Sequence, residues 1–244
     1  MDVRMNRQTP GQGRAEDRWV RPLEEMIQNQ IIARGVKDKR VLAAMRRVPR
    51  HLFVPDVFHD KAYSDRALPI GSAQTISQPY MVAVSLQALG LRGGEKVLEI
   101  GAGTGYVTAL LAELAGAVRA IERISRLADA ARSRLGKIGC TNFLLRVMDG
   151  SFGWADEGPF DAILSAASSP EPPAPWLEQL KPGGCLGMPV GGEKGQTLAQ
   201  YVKRPDGRFD KPGKIVKCKF VKLIGRHGWS EDGGDALTGR SAAW

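Results

Sequence analysis

Between residues 97 and 106 the chain reads Val97-Leu98-Glu99-Ile100-Gly101-Ala102-Gly103-Thr104-Gly105-Tyr106. An apolar run carrying one acid meets three glycines at alternate positions. It then passes into Val107-Thr108-Ala109-Leu110-Leu111-Ala112, which contains good helix formers. This order predicts a strand, a tight turn and a helix, the opening of a βα unit. Glycines in such a turn let backbone N–H groups approach a ligand where a side chain would intrude. Glu122 closes the next apolar run, Val118-Arg119-Ala120-Ile121, about twenty residues on, where a carboxylate can accept hydrogen bonds from a ribose diol. The feature commits the chain to an α/β fold that holds a nucleoside.

Spacing narrows the choice of nucleoside. The dinucleotide fingerprint is Gly-x-Gly-x-x-Gly with a pyrophosphate on the helix N-terminus. Here the third glycine comes one residue early, and Glu99 stands where it would repel a pyrophosphate and suit a cation. S-adenosylmethionine carries a sulfonium, an ammonium and a ribose but no phosphate, which favours methyl transfer over hydride transfer. On spacing alone, a dinucleotide enzyme and an ordinary βα turn remain open. The expected cofactor set is Glu99, Gly101, Ala102, Gly103 and Gly105 with Glu122 and its neighbour Arg123. Val147-Met148-Asp149-Gly150 ends the third strand on the same rim of the sheet. Asp149 can accept a hydrogen bond from an adenine amino group and Gly150 permits close approach, although Asp-Gly is also a common turn.

Periodicity places these motifs in a larger pattern. Residues 1–18, rich in Arg, Gln, Gly and Asp, are expected to be a disordered tail. Leu23, Met26, Ile27 and Ile31 fall at helical spacing and predict a helix over 19–34, ended by Gly35. Asp38 is placed to cap a second helix, 39–47, stopped by Pro49. Residues 51–80 lack periodicity and hold Pro55, Pro69, Gly71 and Pro79, which predicts a long ordered loop, a feature usually tied to function. Helices near 80–90, 105–115, 124–137 and 173–181 then alternate with strands near 96–100, 117–121, 143–148, 160–165 and 184–190. Short strands near 196–203 and 214–221 follow. The expected fold is α/β: a Rossmann-like, doubly wound, mostly parallel sheet with N-terminal helices and an antiparallel C-terminal end. Its parts are N-terminal helices and loop (19–80), a cofactor-binding core (81–191), C-terminal strands (192–229) and a flexible tail (230–244).

Composition removes other classes. Apolar residues make up 43% of the 244, ample for a packed core, and no run approaches the ~18 apolar residues of a membrane span. The first residues are polar and lack the apolar segment of a signal peptide, so a cytoplasmic protein is expected. Cys140, Cys185 and Cys218 are odd in number and widely spaced, and His51, His59 and His227 are scattered. Neither a disulfide framework nor a metal site is indicated. Ser165 and Ser168 sit in no Gly-x-Ser-x-Gly elbow, which disfavours a hydrolase. The net charge of +9 is spread along the chain, without the interleaved aromatics of a single-strand nucleic acid platform. No nucleic acid or membrane partner is expected, and the chain is expected to be monomeric.

The loop Leu68-Pro69-Ile70-Gly71-Ser72-Ala73-Gln74-Thr75-Ile76-Ser77-Gln78-Pro79-Tyr80 adds a resemblance. It is similar to the signature of protein-L-isoaspartate O-methyltransferases. Arg47-Val48-Pro49-Arg50, Phe53-Val54-Pro55 and Tyr63-Ser64-Asp65 resemble the same family before the loop. Gly153-Trp154, Pro159-Phe160-Asp161-Ala162-Ile163, Gln179-Leu180-Lys181-Pro182-Gly183-Gly184 and Pro189-Val190-Gly191 do so after it. The likeness spans roughly residues 20–229. Three departures stand out: Ala73 where the family usually has Gly, Ser165 where it has Thr, and Lys222 where it has Pro.

The resemblance implies transfer of a methyl group from S-adenosylmethionine to the free α-carboxyl of isoaspartyl residues in damaged proteins or peptides. A carboxylate is already ionised at neutral pH, so it needs orientation and release from water more than a base. Ser77 is the implied active-site residue, donating its hydroxyl to one carboxylate oxygen. Loop backbone at Gln74, Thr75 and Ile76 is implied to contact the cofactor. The alternatives are a relative acting on another carboxylate, such as a peptide natural-product intermediate, and a non-catalytic cofactor-binding protein.

Overall fold

The structure, a computed structural model, describes residues 13–192 and 195–230. Helix α1 spans Gly13–Glu25, so the helix expected from Trp19 starts earlier, and part of the expected tail is helical. Ala15, Glu16 and Arg18 are adequate helix formers, and the low apolar content that suggested disorder does not prevent an amphipathic helix. Residues 1–12 and 231–244 lie outside the described residues. The rod widens to a π turn at Met26–Ile31, which buries Met26, Ile27 and Ile31 together, and tightens to a 3₁₀ turn at Ile32–Arg34. Gly35 ends it in the left-handed conformation, φ 90°. Helix α2, Lys39–Arg47, begins where the Asp38 carboxylate accepts the Arg40 and Val41 N–H groups.

The segment expected as a loop is more regular. After 3₁₀ turns at Arg50–Phe53 and Asp56–Lys61 come strands β1, Leu68–Gly71, and β2, Gln74–Ile76, paired as an antiparallel hairpin. Both strands are too short for alternation to show. The hairpin turn also uses Ser72 and Ala73, at φ 52° and 54°, in positions where Asn-Gly would have signalled it.

From Pro79 the expected alternation holds. It runs α3 Pro79–Leu89, β3 Lys96–Ile100, α4 Tyr106–Leu114, β4 Ala117–Glu122, α5 Ser125–Lys137, β5 Phe143–Val147, β6 Phe160–Ser165, β7 Ala167–Ser168 and α6 Ala174–Gln179. The chain closes with β8 Leu180–Gly192, β9 Gly195–Val202, β10 Gly213–Cys218 and β11 Val221–Lys222. The central sheet has seven strands in the order β10-β9-β8-β6-β3-β4-β5. Strands β8, β6, β3, β4 and β5 run parallel, while β9 pairs antiparallel with both β8 and β10. The chain moves outward from β3 to β5 and returns to β6 on the other side of β3. Strand order therefore reverses at the carboxyl end of β3, where a crevice opens in sheets of this kind.

Alternation along the central strands feeds two cores. Val97, Val118, Ala162 and Leu164 face α2, α3 and α4, whereas Leu98, Ile100, Ile121 and Ile163 face α6 and the turns after β5. Trp176 is fully buried on this second side and donates its indole N–H to the Gly150 carbonyl at 2.9 Å, fixing the backbone at the end of β5.

Candidate active site

The glycine turn closes through backbone bonds. Gly101 and Ala102 N–H both donate to the Ile121 carbonyl, at 2.8 and 3.0 Å, and Gly105 N–H donates to Ala102 at 2.8 Å. Gly105 adopts φ 87°, and a Cβ there would lie 3.2 Å from Ala131 and Leu135 of α5. At Gly150 a Cβ would come within 2.7 Å of Ile100 Cγ2, so only glycine lets this backbone reach the end of β3.

Glu122 holds the turn to β4. One carboxylate oxygen accepts Gly103 N–H at 2.8 Å and the other accepts Ile124 N–H at 2.9 Å. Glu99 lies beneath the turn at 1% exposure. Thr108 donates its hydroxyl to Oε2 at 2.5 Å, while Oε1 is buried without a partner. Burial pushes the Glu99 carboxyl up to about 7, helped by the charge of Glu122 and opposed by the Thr108 hydroxyl. A buried acid with one unsatisfied oxygen fits a cation-bearing ligand above it better than an anionic one.

A cleft opens at the switch point, the place where sheets of this kind bind their ligands. Of the residues the sequence proposes for the cofactor, Gln74, Thr75, Gly101, Gly103, Glu122, Arg123 and Gly150 line it. Ala102, Gly105 and Glu99 support the turn and do not line the cleft, and Ile76 is buried in the neighbouring core. The β1–β2 hairpin forms one wall as a strap, with Ile70 Cδ1 3.4 Å from where a Gly103 Cβ would stand.

Asp149 differs from expectation. Its oxygens accept Ser151 N–H at 2.8 Å and Arg226 N–H at 2.9 Å, and it does not line the cleft. A short acid at the start of a 3₁₀ turn satisfies nearby backbone donors first. Here it also fastens the segment 225–227, where His227 N–H donates to Ser151 Oγ at 3.0 Å. That segment follows a wall the sequence reading missed. Strand β11 pairs in parallel with β7, which brings Val221, Lys222, Leu223 and Ile224 to the cleft beside Ala166 and Ala167. A two-residue strand has no periodic signature; Lys222 attracts notice only as a departure from a family pattern.

Ser77 lies between β2 and α3, half-buried and two residues along the chain from Thr75, which lines the cleft. Its carbonyl accepts Arg50 Nη2 at 2.7 Å. Helix α3 begins at Pro79, with Gln78 at the capping position and no side-chain cap, so the serine is not a cap. Among the described residues no protein group bonds its hydroxyl. They also contain no cluster of three metal-ligating side chains and no helix long and apolar enough to cross a membrane. Trp19 stacks on His51 at 4.7 Å, with His59 and Tyr63 around them, so the first two histidines meet as an aromatic cluster.

A glycine turn after the first strand of the parallel sheet, an acid closing the next strand, and a cleft at the strand-order reversal define an S-adenosylmethionine-dependent methyltransferase. Residues 21–228 match the protein-L-isoaspartate(D-aspartate) O-methyltransferase family, and the chain belongs to it. It is 51% identical over 215 residues to the protein-L-isoaspartate O-methyltransferase of Syntrophus aciditrophicus (strain SB), covering 88% of this chain and 99% of that one. It is 52% identical over 205 residues to protein-L-isoaspartate O-methyltransferase 2 of Geotalea uraniireducens (strain Rf4), covering 84% and 94%. Among solved structures, a protein-L-isoaspartate O-methyltransferase superposes with a TM-score of 0.74 at 25% identity, covering 84% of this chain and 67% of that one. A Plasmodium falciparum protein described as the same enzyme, in complex with S-adenosyl-L-homocysteine, superposes with a TM-score of 0.71 at 24% identity, covering 84% and 97%.

Proposed function

We propose that this chain methylates the free α-carboxyl of L-isoaspartyl residues in damaged proteins and peptides, with Ser77 as the residue that holds the acceptor. The observation that carries the reading is the half-buried Ser77 hydroxyl, unpartnered among the described residues and adjacent to a cleft built for a nucleoside with positive charge. The cleft fits S-adenosylmethionine. Glu99 leaves a buried oxygen unsatisfied, Glu122 places a carboxylate on the wall, and Gly103 and Gly150 leave the room that a Cβ would fill. The bound cofactor supplies a sulfonium-activated methyl group, which a carboxylate oxygen accepts without any proton leaving it.

The protein's own contribution follows from that chemistry. Ser77 donates to one acceptor oxygen and leaves the other free, which fixes direction without a general base. Gln74, Thr75 and Ile70 on the strap exclude water from the space between cofactor and acceptor. Glu122 holds Gly103 and has lone pairs left for a ribose hydroxyl. Arg123 and Gly101 complete the nucleoside side, with Ala102 holding the turn behind them. Asp149 contributes by holding 225–227 and with it the far wall. Once formed, the methyl ester is a better electrophile than the carboxylate. The neighbouring backbone nitrogen attacks its carbonyl without the enzyme, and methanol leaves with the amide proton. Water then opens the resulting succinimide, returning part of it to aspartate. We assign 19–80 to acceptor binding, 81–191 to cofactor binding and 192–229 to closing the sheet and cleft, in a monomeric cytoplasmic enzyme with no nucleic acid partner.

Lys222, on the cleft wall where the family pattern has Pro, favours a second reading in which the acceptor is a different peptide carboxylate. Methyl transfer from labelled S-adenosylmethionine to matched isoaspartyl and aspartyl peptides separates the two. Base-labile label on the isoaspartyl peptide alone is expected, with a large loss of rate in Ser77→Ala. Label on neither peptide, from protein that binds the cofactor, would favour the second reading.

A further inference from the structure

Arg50 opens the 3₁₀ turn that follows Pro49, and its side chain is fully buried. Nε donates to the Ala62 carbonyl at 2.8 Å and Nη2 to the Ser77 carbonyl at 2.7 Å. Nη1 has no partner. The guanidinium carbon lies 5.0 Å from the ring centroid of Tyr106, the first residue of α4 after the glycine turn, whose buried hydroxyl interacts with the guanidinium and, among the described residues, with no carbonyl or carboxylate. Among the described residues no carboxylate forms an ion pair with Arg50.

This is a costly arrangement for a structural residue. A buried guanidinium is normally matched by a carboxylate, and an apolar side chain would fill the volume without the loss of hydration. What the guanidinium offers instead is a rigid fork that reaches two carbonyls from separate segments at once. One carbonyl belongs to Ser77 itself, and the platform beneath the fork is the ring that leads out of the cofactor turn. We propose that Arg50 is a positioning residue for Ser77, setting its place relative to the cofactor turn through the Ser77 carbonyl and the Tyr106 ring. The inference rests on the reading of Ser77 as the acceptor-holding residue.

A double-mutant comparison tests this on the full chain. Arg50→Lys keeps the charge but loses the fork; Arg50→Met loses both. Each is expected to lower kcat for an isoaspartyl peptide by about 10- to 100-fold, since small misplacement of a reacting group has effects of that order. Titration with S-adenosyl-L-homocysteine should give a Kd within about twofold of wild type, because neither substitution touches the cleft. In a Ser77→Ala background the same substitutions should lower kcat by less than about threefold, because what Arg50 positions is gone. If Arg50→Met does not fold, Arg50→Lys decides the matter at a temperature where circular dichroism shows it native. Equal losses in the two backgrounds, or cofactor affinity falling in step with kcat, would make Arg50 a scaffold residue only. A Ser77→Ala enzyme at the wild-type rate would remove the serine reading and this inference together, whereas additive losses on top of a damaged Ser77→Ala enzyme would remove the inference alone.

Discussion

The hairpin turn of the strap carries a measurable backbone strain at Ala73. Ser72 and Ala73 both adopt left-handed conformations, φ 52° and 54°, and Ala73 is exposed. A non-glycine residue there costs about 1–2 kcal/mol, because Cβ crowds the following carbonyl. Glycine removes that crowding but adds freedom to the unfolded chain, worth about 0.4–1 kcal/mol in the other direction. Because the Ala73 side chain makes no hydrogen bond and faces solvent, little else changes. Ala73→Gly should therefore stabilise the protein by about 1 kcal/mol, raising Tm by about 2–4 °C for a domain of this size. Ala73→Val should act oppositely, since β-branched residues tolerate positive φ worst. Thermal unfolding of the three proteins by circular dichroism is the assay, with hydrogen exchange of strap amides locating the effect. An Ala73→Gly Tm at or below wild type, together with a neutral Ala73→Val, would refute the strained-turn argument.

Two further outcomes follow from the acids beneath the cleft. The Glu99 carboxyl titrates near 4.5 ordinarily and near 7 in the folded protein. Between those values the folded state keeps a proton that the unfolded chain has released, so its stabilising effect is complete below about pH 4.5 and fades as pH rises towards 7. Cofactor-free protein should therefore lose Tm across that window. Glu99→Gln, which keeps the Thr108 partner, should flatten the slope in a Tm series against pH, and an unchanged slope would count against Glu99 as its source. Glu122→Gln would present an amide donor to either Gly103 N–H or Ile124 N–H, leaving buried donors opposed at a cost of about 1–3 kcal/mol. Calorimetric titration should show S-adenosyl-L-homocysteine binding weakened by about tenfold or more, and an unaltered affinity would remove Glu122 from the cofactor site.

Much of this architecture is legible in the sequence because long elements impose period. Strands β3, β4 and β6 and helices α4 and α5 each carry enough apolar positions to state their type and buried face. The glycine turn and Glu122 are also visible, since their spacing reflects the distance between two adjacent strand ends. Legibility fails where elements are short or where contacts join distant segments. The pairing of β7 with β11 links residue 167 to residue 221 and leaves no local trace. Asp149 looks like a ligand residue because its neighbours are; only the fold reveals that Arg226 N–H claims it first. Arg50 reads as one more basic residue among several between Lys37 and Arg50, and its burial depends on two carbonyls supplied by residues 62 and 77. Ser77 stands out only through family likeness, because a lone serine before Gln-Pro has no pattern of its own.

The strap joins two tasks in one covalent stretch. Ile70, Gln74 and Thr75 close the cofactor cleft, and the same backbone runs on through Ile76 into Ser77. Changes in the backbone of this stretch therefore reach the cleft wall and Ser77 alike. A substitution in the hairpin is expected to be felt on the cofactor side and the acceptor side together, however it acts.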